Sequence, residues 1–577
     1  MIRETTAALL LIALAQFCAA PLVHAQPAPP AGAVPTGSPL PRVLPPSVPR
    51  LGPGLAAPAP PPPAPEGPGA PVDVGSAVVL GSSVYPPGRF EPALAGLRGR
   101  VDQGRIEAVR ADIVATYRAD GYLFTAVSAT VDANGALVFS VIEGRIVDVK
   151  LDGDIGPAGV RVLRFLNRLT ETVPIDVATL ERWLLLAQDV PGVTLRTVLR
   201  PSAGDPGALS LVAQVSRQGF SGLATADNRG FSATGPEQFV LSIGANSFTE
   251  FGERTDATLF YTARSTELFG QLSTEWFAGA SGLKLRVYGG RGTTDPSGSL
   301  GQIGYHGDTA VIGTSASYPI LRSRQQSLSV AAYFDVLSNS VDTGFGAATV
   351  RASRDDLRVF RAGVDYASRD ALLGDQRSAI NVASLRLSQG LGILGASSQG
   401  DALAGRLGER VDFTKVSFEA SRTQVLFSPF GDATVALQAS LAGQYSQDVL
   451  PSSEKFYLGG LRFNRGFYSG QVTGDRALTG SIEPQLNTSA VLPGPRGPFD
   501  LSMQYYGFYD WGEAWQSRKT DANARLASAG GGVRLFFTQA IELDVEAVRR
   551  LTRRPLSGAG VAPVPAAGLY WRLVGRF

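Results

Sequence analysis

From Gly219 to the terminal Phe577 the chain has no apolar run of 18 residues or more, so no stretch there can cross a bilayer as a helix. What it has instead is alternation. Sixteen segments of about 9 to 13 residues repeat apolar and polar residues with a period of two. They start near Gly219, Gln238, Arg254, Glu267, Leu283, His306, Gln326, Asp356, Arg377, Val411, Gly431, Asp475, Phe499, Arg525, Ala540 and Ala567. Lipid on one face and water on the other is the simplest cause. In lipid every backbone polar group must be paired within the protein, and a strand can meet that demand only in a closed sheet. The expected fold over 218–577 is therefore a sixteen-stranded antiparallel membrane β-barrel, an even number being what such closure needs.

The parity can be checked residue by residue. In the thirteenth segment Leu501, Met503, Tyr505, Tyr509 and Trp511 share one face, while Asp500, Ser502, Gln504 and Asp510 share the other. In the last segment Leu569, Trp571, Leu573, Gly575 and Phe577 point outward, with Arg572 and Arg576 inward. A chain ending on an aromatic in this pattern resembles the targeting signal of bacterial outer-membrane proteins, with Trp571 and Phe577 as its carriers. Even-numbered connections read as short turns, such as Gly279–Gly282 and the turn at Thr538-Gln539. Odd ones read as long loops, such as Ser338–Ser353, Gly390–Glu409 and Ser446–Gly474. Short turns belong to the periplasmic end, so whatever precedes the barrel is expected in the periplasm.

At the other end of the chain, Arg3, the apolar run Ala7–Phe17 and the small residues of Val23-His24-Ala25 predict a signal peptide over 1–25. Cys18, the one cysteine, leaves with it, so the mature chain is expected to form no disulfide. Residues 26–72 hold 18 of the 39 prolines and almost no charge, the composition of an extended linker. Lys and Arg total 52 against 50 Asp and Glu, which gives no electrostatic case for nucleic acid as a partner.

Between the linker and the barrel the texture is that of a small α/β protein, met twice. In 73–146 a strand at Ala77–Leu80 is followed by a helix with Ile106, Val109, Ile113 and Tyr117 at helical spacing, stopped by Gly121. Two strands joined through Asn134-Gly135 complete the unit. The same order recurs in 147–217: strand Val147–Asp152, helices Val162–Leu169 and Thr179–Gln188, strands Val193–Leu199 and Leu209–Val215. Tyr117, Gly121-Tyr122, Asn134-Gly135 and Glu143-Gly144-Arg145 together resemble the POTRA modules of outer-membrane secretion proteins. Such a module offers an unpaired strand edge, which can accept an extended chain by main-chain pairing.

The connection Ser446–Gly474 carries Leu458-Gly459-Gly460 and Asn464-Arg465-Gly466-Phe467. Paired glycines read as a tight bend, and Arg465-Gly466-Phe467 sets a permanent cation and a ring about a second flexible point. Parity puts Asp510 on the lumen face, Glu483 on the polar face of the twelfth segment, and Arg534 on one face with Gly530 and Gly532. Arg465 is expected to pair with Asp510, with Glu483 as second choice, because a guanidinium fits a carboxylate with two parallel bonds. Gly530 and Gly532 are expected to leave room for the loop backbone against the wall.

This loop motif resembles the sixth-loop motif of two-partner secretion transporters, the haemolysin-secretion (TpsB) family. Asp227-Asn228, Phe508-Tyr509-Asp510-Trp511-Gly512 and Gly530-Gly531-Gly532-Val533-Arg534 are similar to three further motifs of that family. The departures are Asn464, where the family prefers an apolar residue, and a proline-rich 26–72 in place of an amino-terminal plug helix. The resemblance implies an outer-membrane transporter that exports a large unfolded exoprotein of haemolysin or adhesin type. It also implies capture of that partner through the POTRA modules, contact with outer-membrane lipid, and the barrel assembly machinery as a partner during biogenesis. The alternative is an assembly factor of the same superfamily, related to BamA and TamA, for which a longer string of modules is expected. No phosphate-cradling loop, cofactor motif or metal-ligand cluster is readable. His306 is the one histidine beyond the signal peptide, and it sits near an external loop, so an enzyme is not expected.

Overall fold

The computed structural model describes residues 71–202, 204–493, 497–555 and 563–577. The expected signal peptide, and all of the proline-rich segment before Pro71, lie outside the described residues.

In the first module, the helix Gln103–Ala119 buries Ile106, Ile113 and Tyr117 against the hairpin Ala126–Val131 and Ala136–Ile142. Gly121 ends the helix at φ 92°, where a side chain would be strained. Gly135 turns the hairpin at φ 76°, and the Asp132 carboxylate accepts the Asn134 and Ala136 amides at 2.9 and 2.8 Å. The strand Ser76–Leu80 adds parallel to Ala136–Ile142. A short ribbon of Val72–Val74 with Gly99–Val101, absent from the sequence reading, closes the top of the core.

Glu143 fastens the end of this module to the turn after Ser76–Leu80 and to the helix Gln103–Ala119. Its carboxylate accepts the Ser83 hydroxyl, the Ser83 amide at 2.8 Å, the Tyr117 hydroxyl at 2.8 Å and the Val84 amide at 3.2 Å. Burial alone would push this carboxyl up, but those four donors outweigh it and hold the group below the usual glutamate range. Gly144 beside it has no room for a side chain, since a Cβ would come within 2.5 Å of the Phe124 Cβ. Arg145 Nη2 donates to both carboxylate oxygens of Asp205, at 2.6 and 2.7 Å.

The second module repeats the plan. Strand Arg145–Asp152 runs parallel to Ala208–Arg217, which pairs antiparallel with Val193–Pro201. The helices Ala158–Leu166 and Val177–Gln188 cover one face, the second capped by Asp176 accepting the Thr179 amide at 2.9 Å. Two backbone bonds splice the modules together, Ile175 to the Gly144 carbonyl at 2.9 Å and Val177 to the Gly121 carbonyl at 3.0 Å.

Sixteen antiparallel strands then close into a barrel in sequence order, from Phe220–Asp227 to Ala567–Arg576. Several run longer than the alternation predicts, up to the 21 residues of Val350–Asp370. The expected long loop Ser338–Ser353 is mostly a hairpin, with Thr343 paired to Val350 and Ser338 to Asp356. Beyond the lipid both faces of a strand meet water or polar neighbours, and the apolar beat that reveals a strand disappears. Loop length also sorts less cleanly than expected, because the odd connection 263–266 is a short turn between Arg254–Thr262 and Glu267–Ala278.

The second module docks on the even-numbered turns. Phe277, at the end of strand Glu267–Ala278, is buried in the module's apolar core and meets Phe165 edge to face at 5.1 Å. Arg161, also buried, donates to the carbonyls of Gly279 and, at 3.2 Å, Glu250. Arg322 forks onto Asp189 at 2.7 and 2.8 Å. The modules therefore sit at the short-turn mouth of the barrel, opposite the long loops.

Candidate functional site

The connection between strands Thr434–Tyr445 and Arg476–Leu492 does not stay outside. It forms its own ribbon, Phe456–Leu458 against Val472–Gly474, whose tip bends at Gly459 and Gly460. These have φ of 103° and 93°, and a Cβ on Gly459 would meet the Tyr468 carbonyl oxygen at 2.0 Å. The ribbon lies in the lumen, since its side chains and backbone are gripped by wall residues from all around the barrel.

Arg465 is held by two acidic wall residues. Its Nη2 donates to Asp510 Oδ1 at 2.9 Å and its Nε to Asp510 Oδ2 at 3.1 Å, while its amide donates to the same carboxylate at 2.8 Å. Nη1 pairs with Glu483, and the guanidinium lies 4.0 Å over the Phe508 ring. Ser481 completes the cage, accepting from Arg465 Nη2 at 2.9 Å and donating to Asp510 at 2.6 Å. Asp510 and Glu483 are almost fully shielded, so the attraction is little screened by water.

The network continues along the wall. Glu483 also accepts from Arg534 at 2.7 Å, and Arg534 reaches Asp544 at 3.4 Å and stacks 3.8 Å over Tyr506. The Tyr506 hydroxyl donates to Asp544 and Glu546 at 2.7 and 2.9 Å. Glu546 accepts from Arg229 at 2.6 Å. Arg229 and Arg550 hold the loop by its main chain, donating to the Arg465 carbonyl at 3.1 Å and the Gly466 carbonyl at 2.6 Å. On the opposite wall, Glu454 of the same loop is buried between Arg361 at 2.5 Å and Lys415 at 2.7 Å. The loop is thus tied across the pore by buried ionic contacts at both ends.

Apolar packing seats the tip between these ties. Phe467 is fully buried with Phe456, Leu458, Val472 and the wall residues Ala514 and Leu526. Gly466 lies flat on the wall, where a Cβ would come within 2.5 Å of the Ser528 Cβ. Gly512 likewise makes space for Asn464, whose Oδ1 would be 2.5 Å from a Cβ there.

These features invite comparison with known proteins. The family model for haemolysin secretion/activation proteins ShlB/FhaC/HecB matches residues 208–535. The chain belongs to this family. It is accordingly an outer-membrane secretion transporter whose modules lie in the periplasm. It is 21% identical over 447 residues to the heme/hemopexin transporter protein HuxB of Haemophilus influenzae, covering 72% of each chain. Its fold is that of CdiB from Escherichia coli, at a TM-score of 0.68 and 17% identity over 88% of this chain and 91% of the other. BamA from Haemophilus ducreyi lacking POTRA domains 1–3 is more distant, at a TM-score of 0.50 and 12% identity over 88% of this chain and all of the other.

Set against the family's pattern, Asn464 has a local cause. It adopts φ 56°, a left-handed conformation that asparagine tolerates better than an apolar side chain would. Its Oδ1 accepts from Thr479 at 3.2 Å. Gly530 and Gly532 lie on the wall as expected, but the space they free is not used by the loop. The Phe508 ring and the Tyr506 hydroxyl fill it, each coming within 2.7 Å of a Cβ, at Gly530 and Gly532 respectively. The adjacent strand's aromatics need that room to lie flat under Arg465 and Arg534. Trp571 is on the outward face of the last strand, and Phe577 covers Gly222 at the periplasmic rim.

Arg229, Arg550, Glu546, Tyr506 and Tyr570 escape the sequence reading. Inward parity on Ile541–Arg550 would have flagged Asp544, Glu546 and Arg550 as lumenal, since all three are buried at alternate positions. Parity does not say at what height along the pore they meet the loop.

Proposed function

We propose that the protein exports one large, unfolded exoprotein to the cell surface, that the docked loop is the gate, and that the two modules capture the cargo. The observation that carries this reading is the loop itself: a segment that fills the lumen through replaceable ionic contacts can leave it, which a wall residue cannot. Capture is assigned to the open sheet edges. In the first module the edge strand Ser76–Leu80 carries Val78 and Leu80 at 38% and 53% exposure, and in the second Val193–Pro201 carries Val198 at 45%. An extended chain added there would be bound mainly by its backbone, so many sequences fit.

The outward faces meet outer-membrane lipid, with Leu241, Leu259, Leu272, Ile312 and Leu385 exposed on them. The aromatic terminus serves recognition by the barrel assembly machinery during biogenesis. The sequence has no nucleotide-binding loop, so folding of the cargo outside supplies the direction of transport. The reading predicts a neighbouring reading frame for a very long secreted chain with an amino-terminal β-rich domain.

The test is deletion of 75–217 in cells that make that cargo. The barrel should still assemble and the cargo should no longer reach the medium. Secretion at the normal level from the deletion would refute capture by the modules. A proline placed within Ser76–Leu80 or Val193–Pro201 then locates the accepting edge, because it removes a main-chain donor while sparing the fold.

A further inference from the structure

The barrel closes where its first strand, Phe220–Asp227, meets its last, Ala567–Arg576. These pair from Leu223 with Arg576 up to Asp227 with Arg572. Phe577 extends the ladder downward, its amide donating to the Gly222 carbonyl at 3.1 Å and the Gly222 amide to its carbonyl at 2.6 Å. Above Asp227 the first strand has ended, yet the last strand continues through Trp571 to Ala567. Among the described residues no strand pairs with the last one on this upper half, although a strand edge left open in a membrane is costly.

Side chains and the docked loop fill the gap. The Asn228 amide group imitates a strand residue: Nδ2 donates to the Leu569 carbonyl at 3.1 Å and Oδ1 accepts the Trp571 amide at 2.9 Å. Arg229 then turns away from the wall and pairs with the loop, its carbonyl accepting the Ser469 amide at 3.0 Å and its guanidinium donating to the Arg465 carbonyl at 3.1 Å. The last two strands grip the same stretch. Arg550 and the Tyr570 hydroxyl both donate to the Gly466 carbonyl, at 2.6 and 3.1 Å, and Tyr468 packs edge to face on Tyr570 at 5.9 Å. Arg229 lies 4.4 Å over that same Tyr570 ring. Residues 465–469 are thus bound from both sides of the seam.

We propose that the docked loop is a staple across the upper half of the first-to-last strand seam, so that undocking it loosens the barrel wall above Asp227. The staple follows from the contacts just described, and its link to opening rests on the proposed gate. Opening the gate and relaxing the wall then become one event, and the pore can widen for a bulky segment without any change in the lower seam.

Backbone hydrogen exchange on the full protein in lipid nanodiscs tests it, with two variants. Arg465→Glu sets a third carboxylate beside Asp510 and Glu483. Replacement of residues 459–470 by a short glycine-serine link removes the tip outright. In both, exchange at the Leu569 and Trp571 amides should rise about tenfold or more, while the lower seam at 572–577 and the strand Thr434–Tyr445 stay as in the parent. Unchanged exchange at Leu569 and Trp571 in the tip-replaced protein would overturn the proposal. So would a uniform rise over every strand, because the loop would then support the barrel as a whole rather than its seam.

Discussion

Arg465 and Asp510 meet through two parallel hydrogen bonds, at 2.9 and 3.1 Å, and the Arg465 amide adds a third to the same carboxylate at 2.8 Å. Lysine can reproduce none of the fork geometry, and it cannot reach Asp510, Glu483 and Ser481 together. Arg465→Lys should therefore weaken docking by about 1 to 3 kcal/mol. The check is hydrogen exchange over residues 459–470, which should accelerate while barrel strands away from the first-to-last seam, such as Thr434–Tyr445, do not.

Glu483 changes what a charge swap can achieve. Because Arg465 also pairs with Glu483, the double variant Arg465→Asp with Asp510→Arg brings a carboxylate against Glu483. The swap should not restore docking by itself, and adding Glu483→Gln should improve it. Secretion assays and loop exchange on the double and triple variants measure the difference.

Two glycines test docking without touching any charge. A Cβ on Gly466 would come within 2.5 Å of the Ser528 Cβ, and one on Gly512 within 2.5 Å of Asn464 Oδ1. Gly466→Ala and Gly512→Ala should each cost about 1 to 3 kcal/mol of docking and reduce secretion. Heat-modifiable mobility of the barrel on a gel should be unchanged in both.

The sequence makes the barrel readable wherever lipid lies on one side and water on the other, which is why the starts of Gln238–Asn246, Arg254–Thr262 and Phe499–Trp515 fall where alternation puts them. It hides the extension of Gln326–Thr343 and Val350–Asp370 because no lipid face marks those residues. The Arg465–Asp510 contact is legible because parity and charge complementarity suffice to suggest it. The grip of Arg229 and Arg550 on main-chain carbonyls is not, because it depends on strand register and on where the loop tip stops. A carbonyl acceptor leaves no mark in the side-chain pattern.

The joint between the second module and the barrel rests on Phe277 and Arg161. Phe277→Ala should remove about 3 to 5 kcal/mol from that joint. Distances between spin labels at exposed Arg196 and exposed Asp375 should broaden, and secretion should fall because cargo is no longer presented to the pore at a fixed angle.

The first module should show an acid limit set by Glu143. Its folded pKa lies below the ordinary glutamate value of 4.5, so the stabilisation is full above that value and is lost as pH falls through the folded pKa. Glu143→Gln should lower the module's stability at pH 7 by about 1 kcal/mol, after allowance for partial exposure, and flatten its acid dependence. Hydrogen exchange over 73–146 in the full protein, at neutral and acid pH, reads both.

The most direct measurement of the gate is secretion by Arg465→Ala in cells that make the cargo, set beside the amount of folded barrel in their outer membranes. Removing one member of a shielded pair strands the other charge, at about 3 to 5 kcal/mol. The tip should then leave its seat and cargo in the medium should fall sharply, with heat-resistant barrel at the parent's level. Normal secretion from Arg465→Ala, with the barrel intact, would contradict the docking-loop account.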